Sequence, residues 1–377
     1  MVNQQRISGE FMHQAAIDSP SFHEAAMAEY LKQRLEKLGA TVKIDDAGEK
    51  IGSDTGNLIA LIPGEKKGEP LLLSAHMDTV TPAKDVTPVL NDGIFTSAGD
   101  TILGGDDKSG IVAIIEAIET LNEQNIPHVS LEIALSICEE QGLLGAKQFD
   151  FSQFKAKRAI ALDTRGTDIV INRAPAANRF KIDIFGHEAH AGVCPEAGIS
   201  AIQIASRAIA RMNLGRIDSE TTANIGTIHG GMASNIIPGQ ISLRGEVRSH
   251  NVEKLRAQTE SIVAIVEEEV RNGTIISNGE SFQARMAFEI NDDYPPMKVA
   301  DDSAILQLIR EAGEAIDRPQ QILAAGGGSD ANIFNNNGIE MVIMGTGMEK
   351  VHTIDEYIAL ADMVKTSELL VEVIRRA

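Results

Sequence analysis

Three short apolar runs that each end in an acid or a histidine constrain the fold of this chain most strongly. Continuous apolar runs of this length are typical of strands covered on both faces. In open α/β sheets, ligands bind at the carboxyl ends of the strands, so we expect a functional site where these runs end. The runs and their polar endings are Pro70–Ala75 with His76 and Asp78, Leu131–Ile137 with Glu139 and Glu140, and Arg158–Leu162 with Asp163.

The order of the predicted elements indicates two domains, as expected for 377 residues. Strands alternate with helices up to about residue 177, which favours an α/β domain with a mostly parallel sheet. From residue 178 the order becomes β-α-β-β-α-β, that of a ferredoxin-like α+β sandwich. The helix Ala304–Ala315 and the strand Glu340–Met344 then return to the first pattern. We therefore predict a catalytic domain of residues 1–177 and 294–377, and an inserted lid domain of residues 178–293.

Local patterns predict the individual elements. Ser21 and Glu24 have the spacing of a capping box, and Met27, Leu31 and Leu35 follow at helical spacing. The other predicted elements are the helices Ile111–Leu121, Ala201–Met212 and Val252–Val270, and the strands Ala40–Ile44, Leu58–Ile62, Phe180–Ile184, Thr227–His229, Ile241–Val247 and Met286–Ile290.

Charge and cysteine content exclude several classes of function. The net charge of −20 repels phosphate backbones and anionic lipids, so we expect neither nucleic acid nor membrane as a partner. The chain begins without an apolar signal core, and it contains only two cysteines, Cys138 and Cys194. We therefore expect a cytoplasmic location, with both thiols reduced.

Histidine and carboxylate spacing predicts a metal site. Residues two apart point to the same face of a strand, so Asp78 can orient the ring of His76 while His76 binds a metal. His76, Asp106, Glu140, Asp163 and His352 would give two ligands to each of two metals and one bridge. Glu139 would then remain free as a base.

Each of these features also has a structural interpretation. His76 and Asp78 could be a surface polar pair, Asp106 and Asp107 could cap a helix, and Glu139 with Glu140 could be a solvated pair. A single histidine such as His352 is more often structural than a ligand. The metal hypothesis depends on the set as a whole.

The chain as a whole resembles the di-zinc exopeptidase family that includes aminoacylases, glutamate carboxypeptidases and bacterial peptidase T, and it is most similar to the peptidase T branch. Eight segments in the family's order carry the resemblance, namely SAHMDTV (74–80), TILGGDDKSG (101–110), CEEQGLLGA (138–146), LDT (162–164), HEAHAGVCPEAGISA (187–201), SNIIPG (234–239), GGGSDAN (326–332) and VHTIDE (351–356).

The resemblance implies a role for each matched residue. His76 and Asp163 match the ligands of one zinc, Glu140 and His352 those of the other, and Asp106 the bridging carboxylate. Asp78 matches the acid that orients His76, and Glu139 the general base. The lid residue His190 matches a histidine that stabilises the tetrahedral intermediate, in dimeric relatives from the partner subunit. The matched substrate-binding residues are Asn235, Arg248, Gly327 and Gly328; Arg248 could instead form a surface ion pair.

The implied activity is removal of the N-terminal residue from short peptides by a metal-bridging hydroxide, in a homodimer with two Zn²⁺ ions per subunit, or with Co²⁺ or Mn²⁺ in their place. Peptidase T carries an arginine before its glycine pair and an acidic, glycine-containing run after the aspartate that Asp163 matches. In this chain the residues before the glycine pair are Ala325-Gly326, so the arginine is missing, and no acidic, glycine-containing run follows Asp163. An N-acyl-amino-acid amidohydrolase, a carboxypeptidase and a non-catalytic zinc-binding protein are the alternatives.

Overall fold

The computed structural model describes residues 1–277 and 279–377, and the chain divides into two compact units. Unit 1 comprises Met1–Ala174 and Met297–Ala377, and unit 2 comprises Pro175–Pro296. Among the described residues, no helix is both long enough and apolar enough to cross a membrane.

Unit 1 is an α/β structure. Its helices are α1 (Gln4–Ala15), α2 (Ala25–Lys37), α3 (Ala47–Ile51), α4 (Gly105–Glu123), α7 (Ala304–Ala315), α8 (Asp330–Asn336) and α9 (Leu360–Arg376). Its strands are β1 (Thr41–Ile44), β2 (Leu58–Ile62), β3 (Leu71–His76), β4 (Pro88–Asn91), β5 (Ile94–Ser97), β6 (Leu131–Ser136), β7 (Arg158–Thr164), β8 (Ile169–Ala174), β18 (Met297–Lys298), β19 (Gln321–Ala324), β20 (Glu340–Gly345), β21 (Met348–Glu349) and β22 (Tyr357–Ala359).

The main sheet of unit 1 has the strand order β1-β2-β6-β3-β7-β20-β8-β18, and β19 pairs with β8. Its four central strands, β6, β3, β7 and β20, run parallel to one another. The predicted α/β class with a mostly parallel centre is therefore confirmed.

The register of the central strands explains where the polar residues meet. Leu71 of β3 pairs with Leu131 of β6 on one side and with Arg158 of β7 on the other. The three strands thus start level and reach their carboxyl ends at one edge of the sheet. All six residues of β3 and of β6 are buried, as expected for central strands of a parallel sheet. The helix α4 is also buried over most of its length.

Unit 2 has a five-stranded antiparallel sheet with two helices. Its strands are β9 (Ala176–Phe185), β10 (Ala189–His190), β11 (Gly215–Arg216), β12 (Thr221–Gly230), β13 (Ile236–Ile237), β14 (Gln240–Ser249), β15 (Thr274–Ser277), β16 (Glu280–Gln283) and β17 (Arg285–Tyr294), and its helices are α5 (Ala201–Arg211) and α6 (Val252–Arg271). The sheet order β11-β12-β14-β9-β17 contains the strand arrangement of a ferredoxin-like sandwich, as predicted. Its core combines strand residues such as Ile182 and Leu243 with helix residues such as Ile204 and Ile262.

The prediction of a capping box at the second helix is wrong. Helix α2 begins after Glu24, whose side chain makes no capping hydrogen bond, and the first N–H of the helix, that of Ala25, is donated to Asp54 instead. Ser21 donates its hydroxyl to Asp78, and the buried Glu24 carboxylate accepts the backbone N–H groups of Phe22 and Cys138. Longer-range polar contacts at the sheet edge therefore take the groups that the spacing assigned to a local cap.

Candidate metal centre

His76 is the last residue of β3, and its side chain is buried. Its Nε2 atom lies 3.1 Å from Oδ1 of Asp106, and its Nδ1 atom lies 2.9 Å from the backbone oxygen of Asp78. Oδ1 of Asp78 is 3.3 Å from the same Nδ1 atom. The Nε2 atom of His76 therefore faces the cluster. The two oxygens of Asp78 near Nδ1 are acceptors, so they favour the tautomer of the ring that carries its proton on Nδ1.

Asp78 also holds the turn that carries the two adjacent glutamates. Its Oδ1 atom accepts the backbone N–H of Glu139 at 2.9 Å, and Oδ2 accepts that of Glu140 at 3.3 Å. The hydroxyl of Ser21 donates to Oδ2 at 2.7 Å. The glutamates form a single 3₁₀ turn after β6, and Cys138 before them has φ +49°, a left-handed conformation that reverses the chain direction.

Asp106 lies in the glycine-rich segment at the start of α4. Asp106 and Asp107 both depart from helical backbone angles, and Gly104 before them has φ +78°, which favours glycine. The side chain of Asp106 lies between two histidines, with Oδ1 near His76 and Oδ2 3.2 Å from Nε2 of His352. A carboxylate with one oxygen towards each histidine has the arrangement that a bridging ligand requires.

His352 lies in the loop between β21 and β22, and 49% of its side chain is exposed. Its Nε2 atom is 2.7 Å from Oε1 of Glu140. Asp163 lies near the carboxyl end of β7, and it groups with His76 and Asp107 so that one ligand atom of each lies within 4.8 Å of the others. His76, Asp106 and Glu140 form a second such group.

The acids of this cluster repel one another in the absence of a cation. Burial raises the pKa of Asp163 well above its usual value, and the charge of Asp106 adds to the effect. Burial also raises the pKa of Glu139, and the charges of Asp163 and Asp330 contribute. Burial opposes a charged ring at His76, but hydrogen bonds to Asp106 and Asp78 raise its pKa well above normal. Hydrogen bonds to Asp106 and Glu140 raise the pKa of His352 to about 10.

These observations fit a site for two metal ions. Zinc prefers histidine nitrogen and carboxylate oxygen, which are the donors gathered here. Bound cations would offset the mutual repulsion of the buried carboxylates and would replace the protons that the raised pKa values describe.

A cavity of about 210 Å³ lies over the cluster. Its walls are formed by His76, Asp106, Glu139, Glu140, Asp163 and His352, together with Ala325, Gly327, Gly328 and neighbouring residues. Gly327 and Gly328, which the resemblance assigned to substrate binding, thus line the same cavity as the candidate ligands. Ala325, a small uncharged residue, lines this cavity as well.

The remaining predicted site residues belong to unit 2. His190 ends β10, is exposed, and accepts the Gly192 backbone N–H on Nδ1. The backbone oxygen of Asn235 accepts the N–H of Ala191 at 2.9 Å, so Asn235 lies next to the His190 turn. Arg248 lies on β14 and forms an ion pair with Glu246 at 2.9 Å.

Two buried acids near the cluster are absent from the predicted site residues, although the sequence pattern suggests one of them, Asp107, as a helix cap. Asp107 accepts the backbone N–H groups of His76 and Gly110, so it buttresses the end of β3. Asp330, at the start of α8, accepts a hydrogen bond from Ser136 on β6, while its Oδ1 atom has no partner among the described residues. Both acids stand inside segments that carry the family resemblance, but the contacts of Asp107 with His76 and of Asp330 with Ser136 join distant parts of the chain.

The cluster of histidines and carboxylates lies at the carboxyl edge of the α/β sheet, where such sheets bind their ligands, and its donors are those of a metal site. The model of the peptidase family M20/M25/M40 matches residues 72–376. The chain belongs to this family and is a metallopeptidase similar to peptidase T.

Three relatives resemble the chain over nearly its whole length. The uncharacterised protein YqjE of Bacillus subtilis (strain 168) is 40% identical over 378 residues and is covered completely, as is this chain. Aminopeptidase PepT from Bacillus cereus, for which a crystal structure is known, is 39% identical in sequence. Its structure matches with a TM-score of 0.90, and the match covers 100% of this chain and 99% of the PepT chain. A tripeptidase from Staphylococcus aureus is 33% identical with a TM-score of 0.94, covering 100% and 98%.

Proposed function

We propose that this protein is a di-zinc aminopeptidase that removes the N-terminal residue from short peptides. One observation carries the proposal: five candidate ligands surround a cavity in which Glu139 is the remaining glutamate. The similarity to an aminopeptidase and a tripeptidase, at 39% and 33% identity, supports this choice among peptidases.

His76 and Asp163 would hold one zinc ion, Glu140 and His352 the other, and Asp106 would bridge them. When bound, the two ions supply Lewis acidity, which polarises the scissile carbonyl and makes a water molecule more acidic. Asp78 fixes the ring of His76 and, through two backbone N–H groups, the turn of Glu139 and Glu140.

Glu139 is the proposed general base. It is buried at the cavity wall, its backbone is held by Asp78, and it is not needed as a ligand when Glu140 fills that position. In this role it takes a proton from the attacking water and passes it to the leaving amine.

Residues of unit 2 complete the proposed mechanism. We assign His190 to stabilisation of the oxyanion, and Asn235 and Arg248 to substrate contacts. A guanidinium binds a carboxylate through two parallel hydrogen bonds, so a substrate carboxylate would compete with Glu246 for Arg248. A homodimer that supplies His190 to the partner's site and a cytoplasmic location stay predictions.

The decisive variant is Glu139→Gln, which keeps the shape of the side chain but cannot accept a proton. General bases contribute roughly 10²- to 10⁴-fold, so kcat on trialanine should fall by that factor while two zinc ions still bind. Glu340→Gln, at an exposed position at the start of β20, is the matched control and should behave as wild type. A wild-type rate for Glu139→Gln would refute the assignment of the base.

Mixing subunits tests the role of His190. If His190 serves the partner's site, dimers that combine a His190→Ala subunit with a Glu139→Gln subunit regain activity, because one of the two sites is then complete. A verified mixed dimer without activity would refute action across the dimer.

A further inference from the structure

Glu356 connects two segments that carry candidate ligands. It lies four residues after His352, and its side chain is buried, with 2% exposed, whereas Asp355 beside it is exposed. The Oε2 atom accepts the backbone N–H groups of Leu103 at 2.8 Å and Gly104 at 2.9 Å. The Oε1 atom accepts the N–H of Asp106 at 3.1 Å.

These three N–H groups precede the regular part of α4. The first N–H groups of a helix have no carbonyl partner within the helix, so they require an acceptor from elsewhere. A carboxylate makes stronger hydrogen bonds to them than a neutral acceptor would. Glu356 thus supplies both the acceptors and the negative charge that the start of this helix favours.

The glycine-rich segment approaches the Glu356 carboxylate very closely. A Cβ atom added at Gly105 would lie 3.0 Å from Oε1 of Glu356. Glycine at position 105 therefore allows the backbone of this segment to lie against the carboxylate. The contact fixes the backbone on both sides of Gly105, including that of Asp106.

We propose that Glu356 is a positioning residue that holds the bridging carboxylate Asp106 in register with His352 and thereby sets the affinity of the metal centre. The proposal rests on the proposed function, because it requires Asp106 and His352 to act as ligands. Glu356 touches the backbone of one ligand segment and belongs to the loop of the other, so displacing it changes the distance between two ligand side chains without removing either.

Zinc affinity of the full chain, measured by competition with a chelator, tests this proposal. Glu356→Gln keeps the size of the side chain but points an NH₂ group at backbone donors, and the loss of such supporting contacts typically weakens metal binding by about 10- to 100-fold. With zinc restored, kcat on trialanine should fall while KM stays within about two-fold. Asp355→Asn makes the same charge change in the same loop and should leave zinc affinity unchanged.

Three outcomes separate the possibilities. If Glu356→Gln binds two zinc ions with wild-type affinity and only its melting temperature falls, Glu356 merely supports the fold and the proposal is overturned. If Glu356→Gln does not fold, Gly105→Ala replaces it, since this variant pushes on the intact carboxylate; wild-type zinc affinity in Gly105→Ala would equally overturn the proposal. If the wild-type chain itself binds no zinc, the proposed function fails, and the role of Glu356 falls with it.

Discussion

Replacement of Asp78 by asparagine should weaken both the metal centre and the fold around it. The carboxylate accepts three hydrogen bonds, from Ser21 and from the backbones of Glu139 and Glu140, and it contacts the ring of His76. It is fully buried, so water cannot replace a lost partner. Asparagine offers one oxygen where aspartate offers two.

The magnitude follows from the donors that remain. Whichever way the new side-chain amide of Asp78→Asn turns, its NH₂ group faces the backbone N–H of Glu139 or of Glu140, and neither can accept a hydrogen bond. A buried donor without a partner costs about 1–3 kcal/mol, so the free energy of unfolding of the metal-free protein should fall by that amount. Zinc affinity should fall by about 10- to 100-fold because the ring of His76 loses its supporting charge.

Chelator competition and denaturant unfolding measure the two effects on the same samples. Asp92→Asn is the matched control, because Asp92 is exposed in the turn between β4 and β5 and has φ +49°, a conformation that asparagine also adopts readily. Wild-type zinc affinity and stability in Asp78→Asn would refute the account of this carboxylate.

Three further predictions concern stability. Burial raises the pKa of Asp330 from 3.8 to about 6. Between about pH 4 and pH 6 the carboxyl group is ionised in the unfolded chain but still protonated in the fold, so the free energy of unfolding of the metal-free protein should fall by roughly 2–3 kcal/mol as pH rises. Asp330→Asn should remove this fall in unfolding curves measured across that range. The Glu116 side chain is 2% exposed and lies 2.6 Å from Arg6, so Glu116→Gln should lower the free energy of unfolding by about 1.5–3 kcal/mol. Glu123 pairs with the same arginine but is 54% exposed, so Glu123→Gln should leave the unfolding curve close to wild type. Zinc at a hundred-fold excess over its dissociation constants should raise the free energy of unfolding, relative to chelator-treated protein, by about 2.7 kcal/mol for each of the two sites that it fills.

Each of these has a clear contrary result. Parallel pH profiles for wild type and Asp330→Asn would contradict the raised pKa. Equal unfolding midpoints for the Glu116 and Glu123 variants would contradict the dependence on burial. A melting temperature unaffected by zinc would show that the folded chain binds it no better than the unfolded chain.

Much of the fold can be predicted because burial leaves a periodic trace in sequence. The predicted helix Ala304–Ala315 has the observed bounds, and so does the predicted strand Leu58–Ile62. The first helix, Gln4–Ala15, is missing from the predicted elements although Ile7, Phe11 and Ala15 recur at helical spacing and Asn3 caps it. The sequence therefore carries a local signal for this helix as well.

The polar contacts of the site are less predictable, since they join residues far apart in the chain. The spacing of Ser21 and Glu24 suggests a local cap, but their side chains bind Asp78 and the backbone of Cys138 instead. The contact of Glu356 with the backbone of Asp106 spans 250 positions and has no local signature. Local spacing predicts which residues end a strand, whereas the parallel register decides which of them meet.

Amino-acid release from trialanine and from N-acetyl-trialanine by the zinc-loaded protein tests the central claim most directly. An aminopeptidase of the peptidase T type should release alanine from the free peptide and leave the acetylated peptide intact. Cleavage of the acetylated peptide in its place would contradict the aminopeptidase assignment and indicate an amidohydrolase or carboxypeptidase acting through the same metal centre.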